Sequence, residues 1–252
     1  MKKIFSLFVI LSFSAYYLLA WPVAYAAAIA THSWDECTSA LDITATCASG
    51  GSGYSGNWTN GLAGFIGRAT SCQVANCITT DGVGDNKVYR TFSATASGHG
   101  SIYMSRTSGD TNAFRFNFCQ SGTTTCEDTG KFYIRVDRPT NGSDVNICTS
   151  SCTSLASWTA DTQQLIQYQW GTDGTWTTAC ASGEVTANFN GSSFSSCLTM
   201  AAGNDPGTTE FISDDVTGGD NIIWDELNND DAAAGGGTTT TITPPLWWIL
   251  RN

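Results

Sequence analysis

Hydrophobic and polar residues alternate along several segments of the chain. In residues 112–119 three phenylalanines alternate with Arg115 and Asn117, and in residues 130–137 the apolar positions are Phe132, Ile134 and Val136. A period of two is the pattern of a strand with one buried face. The two segments are therefore predicted to form a hairpin across the loop that separates them.

The same alternation predicts further strands, and no segment has a convincing helical period. These strands are predicted at residues 87–92, 101–106, 163–170, 184–189, 195–201 and 221–227. Turn-forming residues lie at 97–100 and 171–174, and the second turn is predicted to lead into a short strand at 175–177. Many short strands without intervening helices favour antiparallel pairing, so an all-β, two-sheet sandwich is predicted.

Both ends of the chain differ in composition from its centre. A basic start, an apolar stretch and small residues before Ala26 predict a signal peptide at residues 1–26, cleaved after Ala26. The alternative is an uncleaved membrane anchor, although the apolar run is short for a spanning helix. Residues 232–252 form a Gly/Thr-rich tether and a short apolar tail that contains Trp247 and Trp248. The predicted domain is therefore 27–231.

The ten cysteines all follow the predicted signal peptide and lie in neighbouring couples. In an oxidising compartment such an even set indicates disulfides. We predict sequential pairing, which gives Cys37 with Cys47, Cys72 with Cys77, Cys119 with Cys126, Cys148 with Cys152, and Cys180 with Cys197. The alternative for the two closest couples, at 72–77 and 148–152, is a zinc site.

The charge of the chain narrows the classes of partner. Its formal net charge is −11, and it becomes −13 without the two lysines of residues 1–26. Such a surface repels phosphate backbones, so nucleic acid is excluded as a partner and anionic membranes are disfavoured. Export to the cell exterior or cell surface is the predicted localisation, and the signal peptide is of a bacterial type.

From residue 54 to 231 the order of features resembles the concanavalin A-like lectin/glucanase superfamily, in its laminin-G-like branch. The resemblance rests on the segment Tyr54-Ser55-Gly56-Asn57-Trp58, on the paired strands at 114–119 and 132–137, and on the endings at 211–216 and 222–227. It implies a jelly-roll sandwich, and some members of the family bind glycans or calcium. The alternating Glu, Asp and Glu of the family's glucanases are not matched in this sequence.

Aromatic residues in polar surroundings are the candidate carbohydrate-binding residues. Sugar rings stack on exposed aromatic faces that have hydrogen-bonding neighbours. The candidates are Trp58, Trp158, Tyr168, Trp170 and Trp176. The alternative is that these alternating aromatic residues form the core, and only their exposure distinguishes the two interpretations.

Acidic residues crowd the region from 205 to 231 and supply the oxygen ligands that calcium prefers. Asp214 and Asp215 are the predicted calcium ligands. The alternative is that these acidic turns are only solvated, with no cofactor at all.

No catalytic residue is predicted, because neither His32 nor His99 lies in a nucleophile motif. The sequence favours a secreted, noncatalytic binding or adhesion domain that recognises a glycan or cell-surface polymer. One alternative is a structural protein of the cell envelope or matrix, attached through the C-terminal tail. A glycan-degrading enzyme with paired carboxylates is the less favoured alternative.

Overall fold

The computed structural model describes residues 28–35, 37, 42–46, 51–62, 65–68, 72, 76–80, 84–106, 113–123, 126, 130–137, 144–216 and 222–231. The predicted signal peptide and the C-terminal tail lie outside the described residues. Among the described residues, no helix has both the length and the apolar character needed to cross a membrane.

Strands dominate the described residues, with one short helix, α1, at Ile43–Thr46. The fifteen strands are β1 Ala28–His32, β2 Tyr54–Leu62, β3 Phe65–Arg68, β4 Cys77–Thr80, β5 Gly84–Phe92, β6 Gly98–Arg106, β7 Phe114–Gln120, β8 Phe132–Val136, β9 Asp144–Cys148, β10 Cys152–Ser157, β11 Gln164–Trp170, β12 Glu184–Phe189, β13 Leu198–Thr199, β14 Pro206–Val216 and β15 Ile222–Asp231.

The strands form two antiparallel sheets, which confirms the predicted sandwich. Sheet A has eight strands in the order β13-β12-β11-β6-β15-β4-β3, with β1 also paired to β15. Sheet B has seven strands in the order β10-β9-β8-β7-β14-β5-β2. The successive strands β14 and β15 lie in different sheets, each between strands from earlier in the chain. This crossing between sheets is the jelly-roll arrangement.

The core between the sheets is built from the inward positions of the alternating strands. In sheet B, Phe116 stacks on Phe211 with ring centroids 4.8 Å apart. From the same ring, Tyr168 and Trp224 of sheet A lie at 5.8 and 6.1 Å. Each such aromatic pair contributes about 0.5–1.5 kcal/mol beyond the area that it buries. The period of two in the sequence thus becomes one continuous aromatic core.

Four of the five predicted disulfides are confirmed: Cys72–Cys77, Cys119–Cys126, Cys148–Cys152 and Cys180–Cys197. Cys37 is also disulfide-bonded, whereas Cys47 lies outside the described residues. The bonds at 72–77 and 148–152 rule out the zinc alternative for these couples, because a disulfide sulfur is not a thiolate ligand.

The predicted strand at 175–177 is wrong, because these residues form bends after β11. β11 pairs with β12 instead, with Trp170 opposite Val185 and Ile166 opposite Phe189. The Gly171 amide donates to the Glu184 carbonyl at 2.7 Å, so the ladder passes directly from β11 to β12. Residues 171–183 are thereby left as a long excursion at the end of sheet A.

Candidate functional site

The outer face of sheet A is a polar surface on the side away from the core. Ile102 and Met104 of β6 point into the core, so Ser101 and Tyr103 point outward and are half-buried. On the neighbouring β11, Gln167 lies opposite Ser101 and Leu165 lies opposite Tyr103. Cross-strand partners share a face of the sheet. We call these four residues the outer face of sheet A.

Lysine and arginine are scarce around this face. Among the described side chains of the sheet A strands, the one cation of this kind is Arg106. It lies at an inward position, with its guanidinium 5.0 Å from the ring centroid of Phe114 and 4.9 Å from that of Trp158. The outer face of sheet A therefore offers the hydroxyls of Ser101 and Tyr103 and the amide of Gln167, with the buried Asp225 opposite Tyr103 and no described lysine or arginine.

At the end of β11 the chain forms a turn over residues 171–178, which we call the Trp176 turn. Gln169 is fully buried, and its side-chain Nε2 donates to the Asp173 and Thr177 carbonyls at 3.0 and 3.2 Å. Its Oε1 accepts from the Trp176 amide at 3.2 Å. The side chain of Gln169 thus supplies hydrogen-bond partners for backbone groups of a turn that pairs with no strand.

Asp173 and His99 link the Trp176 turn to β6. The two side chains are almost fully buried, and His99 Nδ1 lies 2.7 Å from Asp173 Oδ2. The other carboxylate oxygen of Asp173 accepts from the Thr175 amide at 2.7 Å. Burial opposes ionisation of Asp173, but the hydrogen bonds from His99 and Thr175 outweigh it and lower the pKa of this carboxyl from 3.8.

Trp176 is the aromatic side chain that the Trp176 turn presents. Its ring meets the His99 ring edge-on, with centroids 4.9 Å apart and an interplanar angle of 70°. It is half-buried, and its neighbours Gly174 and Thr175 are exposed. Part of an indole ring therefore remains accessible to solvent beside the outer face of sheet A.

The other four candidate carbohydrate-binding residues are buried in the structure. Tyr168 and Trp170 have no exposed surface, and their rings face Phe118 and Phe132 of sheet B. Their positions on β11 have the parity of the core, since Gln167 and Gln169 take the outward positions. The prediction for these two residues is corrected, because no ring face is open to a sugar.

Trp58 and Trp158 are also core residues. Trp58 contacts Phe211 with ring centroids 5.7 Å apart, and the Trp158 indole N–H donates to the Asp137 carbonyl at 2.9 Å. Both are less than a tenth exposed. Of the five predicted residues, the structure leaves Trp176 with accessible aromatic surface, and its role in binding stays a prediction.

The predicted calcium ligands Asp214 and Asp215 lie in β14, but their side chains are outside the described residues. Among the described residues, two groups bring sulfur and carboxylate atoms close together: Glu210 with Cys119 and Cys126, and Glu184 with Cys180 and Cys197. In both groups the cysteines form a disulfide, so neither has thiolates to hold a metal ion.

The acidic pair Asp225–Glu226 lies in β15. Asp225 is buried opposite Tyr103, and Glu226 is half-buried with a left-handed φ of 50°. Burial, followed by the charges of Asp225 and Asp35, raises the pKa of the Glu226 carboxyl. The pairing of β15 with β6 shifts register between Asp225 and Asn228. The sequence contained no signal for this irregularity.

Residues that sequence reasoning missed are His99, Asp173 and Gln169. His99 stands between two glycines of a turn-forming segment, a context typical of a surface residue, but it is 6% exposed. Its partner Asp173 is 74 positions away in the sequence, so no local pattern could join them. The alternation in residues 163–170 placed Gln169 on the face of β11 opposite to Tyr168 and Trp170, and the structure shows that the glutamine face is the outward one.

No family model matches this chain, and no curated protein does. Solved structures with low similarity include a sialidase, with 11% identity and a TM-score of 0.45. The match covers 87% of this chain but only 19% of the sialidase chain. Carbohydrate-binding module CBM66 from Bacillus subtilis has 7% identity and a TM-score of 0.42, with 69% of this chain and 95% of the module covered.

The exoplasmic/lumenal domain of VIP36 in its Ca2+/Man-bound form has 8% identity and a TM-score of 0.44. The match covers 71% of this chain and 87% of that domain.

Proposed function

We propose that this chain is an exported, noncatalytic binding domain that recognises a neutral glycan through the outer face of sheet A and Trp176. The observation that carries the proposal is a half-buried tryptophan held on a hydrogen-bonded turn beside a polar sheet face on which no lysine or arginine is described. The solved structures named above have TM-scores below 0.5, so the glycan-binding part of the proposal rests on this surface alone.

The chemistry of this surface suits a polyhydroxylated ligand. A sugar ring buries its C–H face on an aromatic ring, and its hydroxyls need donors and acceptors nearby. Tyr103 lies four residues beyond His99 on β6, about 13 Å along the strand. The hydroxyl of Ser101 and the amide of Gln167 lie between Tyr103 at one end and His99, with the Trp176 ring against it, at the other. This order of groups suits an extended chain of sugar residues.

The charge of the molecule selects against acidic ligands. The net charge is −11 for the whole chain, and no lysine or arginine is described on the outer face of sheet A. A polyanion would meet repulsion without a compensating ion pair. The proposed ligand class is therefore neutral polysaccharide or a neutral cell-surface polymer.

Export is part of the proposal. Disulfides persist in oxidising compartments and are rare in the cytosol, and four bonds are formed among the described cysteines. Membership of the concanavalin A-like superfamily, calcium at Asp214 and Asp215, and attachment through the 232–252 tail are further parts of the proposal. They rest on the sequence patterns described above.

Affinity gel electrophoresis of the full exported chain tests the proposal. The gels would contain mannan, arabinoxylan or mixed-linkage β-glucan as neutral probes and alginate as the acidic probe, each with calcium and with EGTA. We expect retardation by at least one neutral probe and none by alginate. Loss of retardation in EGTA would support the calcium part of the proposal.

Trp176→Ala should abolish the retardation. The matched control is Tyr89→Ala, since Tyr89 is another half-buried aromatic residue, on β5 of sheet B. Retardation that survives Trp176→Ala would refute the proposed site. Absence of binding to every neutral probe, together with association of the chain with cell envelopes, would favour the structural alternative.

A further inference from the structure

We infer that His99 and Asp173 are positioning residues that hold the Trp176 indole in the orientation in which it meets the ligand. The inference deepens the proposed function and rests on it. Neither side chain is expected to touch the ligand, because His99 is 6% exposed and Asp173 is 2% exposed. Their effect on binding would pass through Trp176.

His99 is a rigid support because β6 is paired on both sides. His99 lies opposite Gln169 of β11 and opposite Asp230 of β15, whose side chain is outside the described residues. The ring of Trp176 rests against the imidazole, with centroids 4.9 Å apart. An indole packed against a fixed ring loses little further rotamer freedom when a ligand stacks on it.

Asp173 fixes the imidazole and the turn at the same time. One carboxylate oxygen binds His99 Nδ1 and the other accepts from the Thr175 amide, each at 2.7 Å. An ionised carboxylate only accepts hydrogen bonds, so His99 must donate from Nδ1. Both the neutral Nδ1–H tautomer and the imidazolium can do so.

Gln169 has a different role in the Trp176 turn. Its amide binds backbone atoms of Asp173, Trp176 and Thr177, and so it holds the path of the chain. The contact of the Trp176 ring with His99 involves the side chain itself. Removal of the imidazole should thus release the indole while Gln169 keeps the turn in place. This separation makes the inference testable.

The experiment uses the full exported chain labelled with 5-fluorotryptophan and observed by 19F NMR. Trp176→Phe assigns the resonance of residue 176. In His99→Ala we expect that resonance to shift and change its linewidth, while the other tryptophan resonances stay in place. His99→Asn keeps a donor for Asp173 without the ring, so it should preserve the turn and still alter the Trp176 resonance.

Binding is measured in parallel with the neutral polysaccharide that retards the unmodified chain. Fixing one side chain on binding costs about 0.5–1.5 kcal/mol, so His99→Ala should weaken binding about two- to twelvefold. Asp173→Asn replaces one of the two carboxylate oxygens, which contact His99 and Thr175, with an NH2 group. It should weaken binding less than His99→Ala does, because the imidazole remains. It also serves as the second variant if His99→Ala does not fold.

The outcomes separate the inference from the proposed function. An unchanged Trp176 resonance in His99→Ala and Asp173→Asn would overturn the positioning role, even if Trp176→Ala abolishes binding. A changed resonance with unchanged affinity would also overturn it. If Trp176→Ala leaves binding intact, the proposed site is wrong, whatever the NMR spectra show.

Discussion

Glu226 combines a charge with a backbone conformation that residues other than glycine seldom adopt. Its φ of 50° lies in the left-handed region, and its carboxylate is close enough to Asp225 and Asp35 for repulsion to add to the effect of burial. The pKa of Glu226 is therefore raised above the ordinary value of 4.5. This residue opposes folding at neutral pH by holding a poorly solvated charge.

Glu226→Gln should stabilise the protein at pH 7, raising Tm by about 1–3 °C. The unfolded chain ionises Glu226 near pH 4.5, before the folded chain does, so the destabilisation grows as pH rises through the folded pKa. The difference in Tm between variant and parent should therefore vanish below about pH 4. Thermal unfolding followed by circular dichroism at a series of pH values measures it.

Glu184→Gln is the matched control for this prediction. The Glu184 carboxylate accepts a hydrogen bond from the Ala181 amide at 3.0 Å, so its substitution should not raise Tm. A stabilisation of Glu226→Gln that is equal at pH 4 and pH 7 would show that charge is not its cause.

Phe116 lies at the centre of the aromatic core, and Phe116→Ala should lower the free energy of unfolding by about 3–5 kcal/mol. The ring contacts Phe118 and Phe211 within sheet B and Tyr168 and Trp224 across the core. Tyr89→Ala, at a half-buried outward position, should cost about 1 kcal/mol or less. Urea denaturation compares the two. Equal losses would contradict the assignment of faces.

At the level of elements, β11 and the Trp176 turn decide which aromatic residues reach the surface. Gly171 directly follows β11, has a φ of 63° and packs against Ala96 and Ser97. Glycine fits this position because it adopts the left-handed conformation without strain and has no Cβ to collide with these neighbours. Trp170 precedes this glycine on the inward side of the strand, and Trp176 follows it on the turn. Because the chain changes direction at Gly171, Trp170 lies in the core whereas Trp176 lies on the turn as a candidate ligand-binding residue.

Gly171→Ala should destabilise the fold by at least about 1 kcal/mol more than Gly183→Ala. Both glycines have positive φ, so both variants carry the conformational strain. A Cβ at Gly171 would also collide with the Ala96 carbonyl and with Ser97, whereas no heavy atom lies within 4 Å of a Cβ at Gly183. Chemical denaturation of the two variants measures the difference. Equal losses would show that the close approach is not tight.

At the scale of the whole molecule, the disulfides are local constraints on a two-sheet core. The four described bonds join cysteines separated by 4 to 17 positions. On the loop-entropy estimate, the bond with a separation of 17 contributes about 3 kcal/mol and the bond with a separation of 4 about 2 kcal/mol. The core and the staples therefore both contribute to stability.

The exported chain should lack residues 1–26 and contain no free thiol. Intact mass spectrometry after alkylation in denaturant, with and without prior reduction, measures both properties. Without reduction we expect no alkylation, and after reduction we expect all ten cysteines to be modified. A chain that keeps its first 26 residues would overturn the predicted cleavage, and thiols that react without reduction would overturn the predicted pairing.

Local information in the sequence was sufficient for many of the strands, among them β6, β7, β8, β11 and β12, and for four of the disulfides. The alternation of Phe114, Phe116 and Phe118 with polar residues reports which positions share a face, and cysteines that are neighbours in the sequence need only a short loop to reach each other. These features depend on residues a few positions apart. They therefore survive in the linear pattern, and the all-β sandwich and four of its disulfides could be predicted.

The tertiary structure alone decided which face of each strand is covered and which distant residues meet. Alternation distinguishes the Trp170 side of β11 from the Gln169 side, but only the packing of sheet B against sheet A buries the former. The contact of His99 with Asp173 depends on the register of β6 against β11 and on the path of the Trp176 turn. Burial and long-range contacts are properties of the assembled sheets, so the sequence by itself could not separate Trp176 from the aromatic residues of the core.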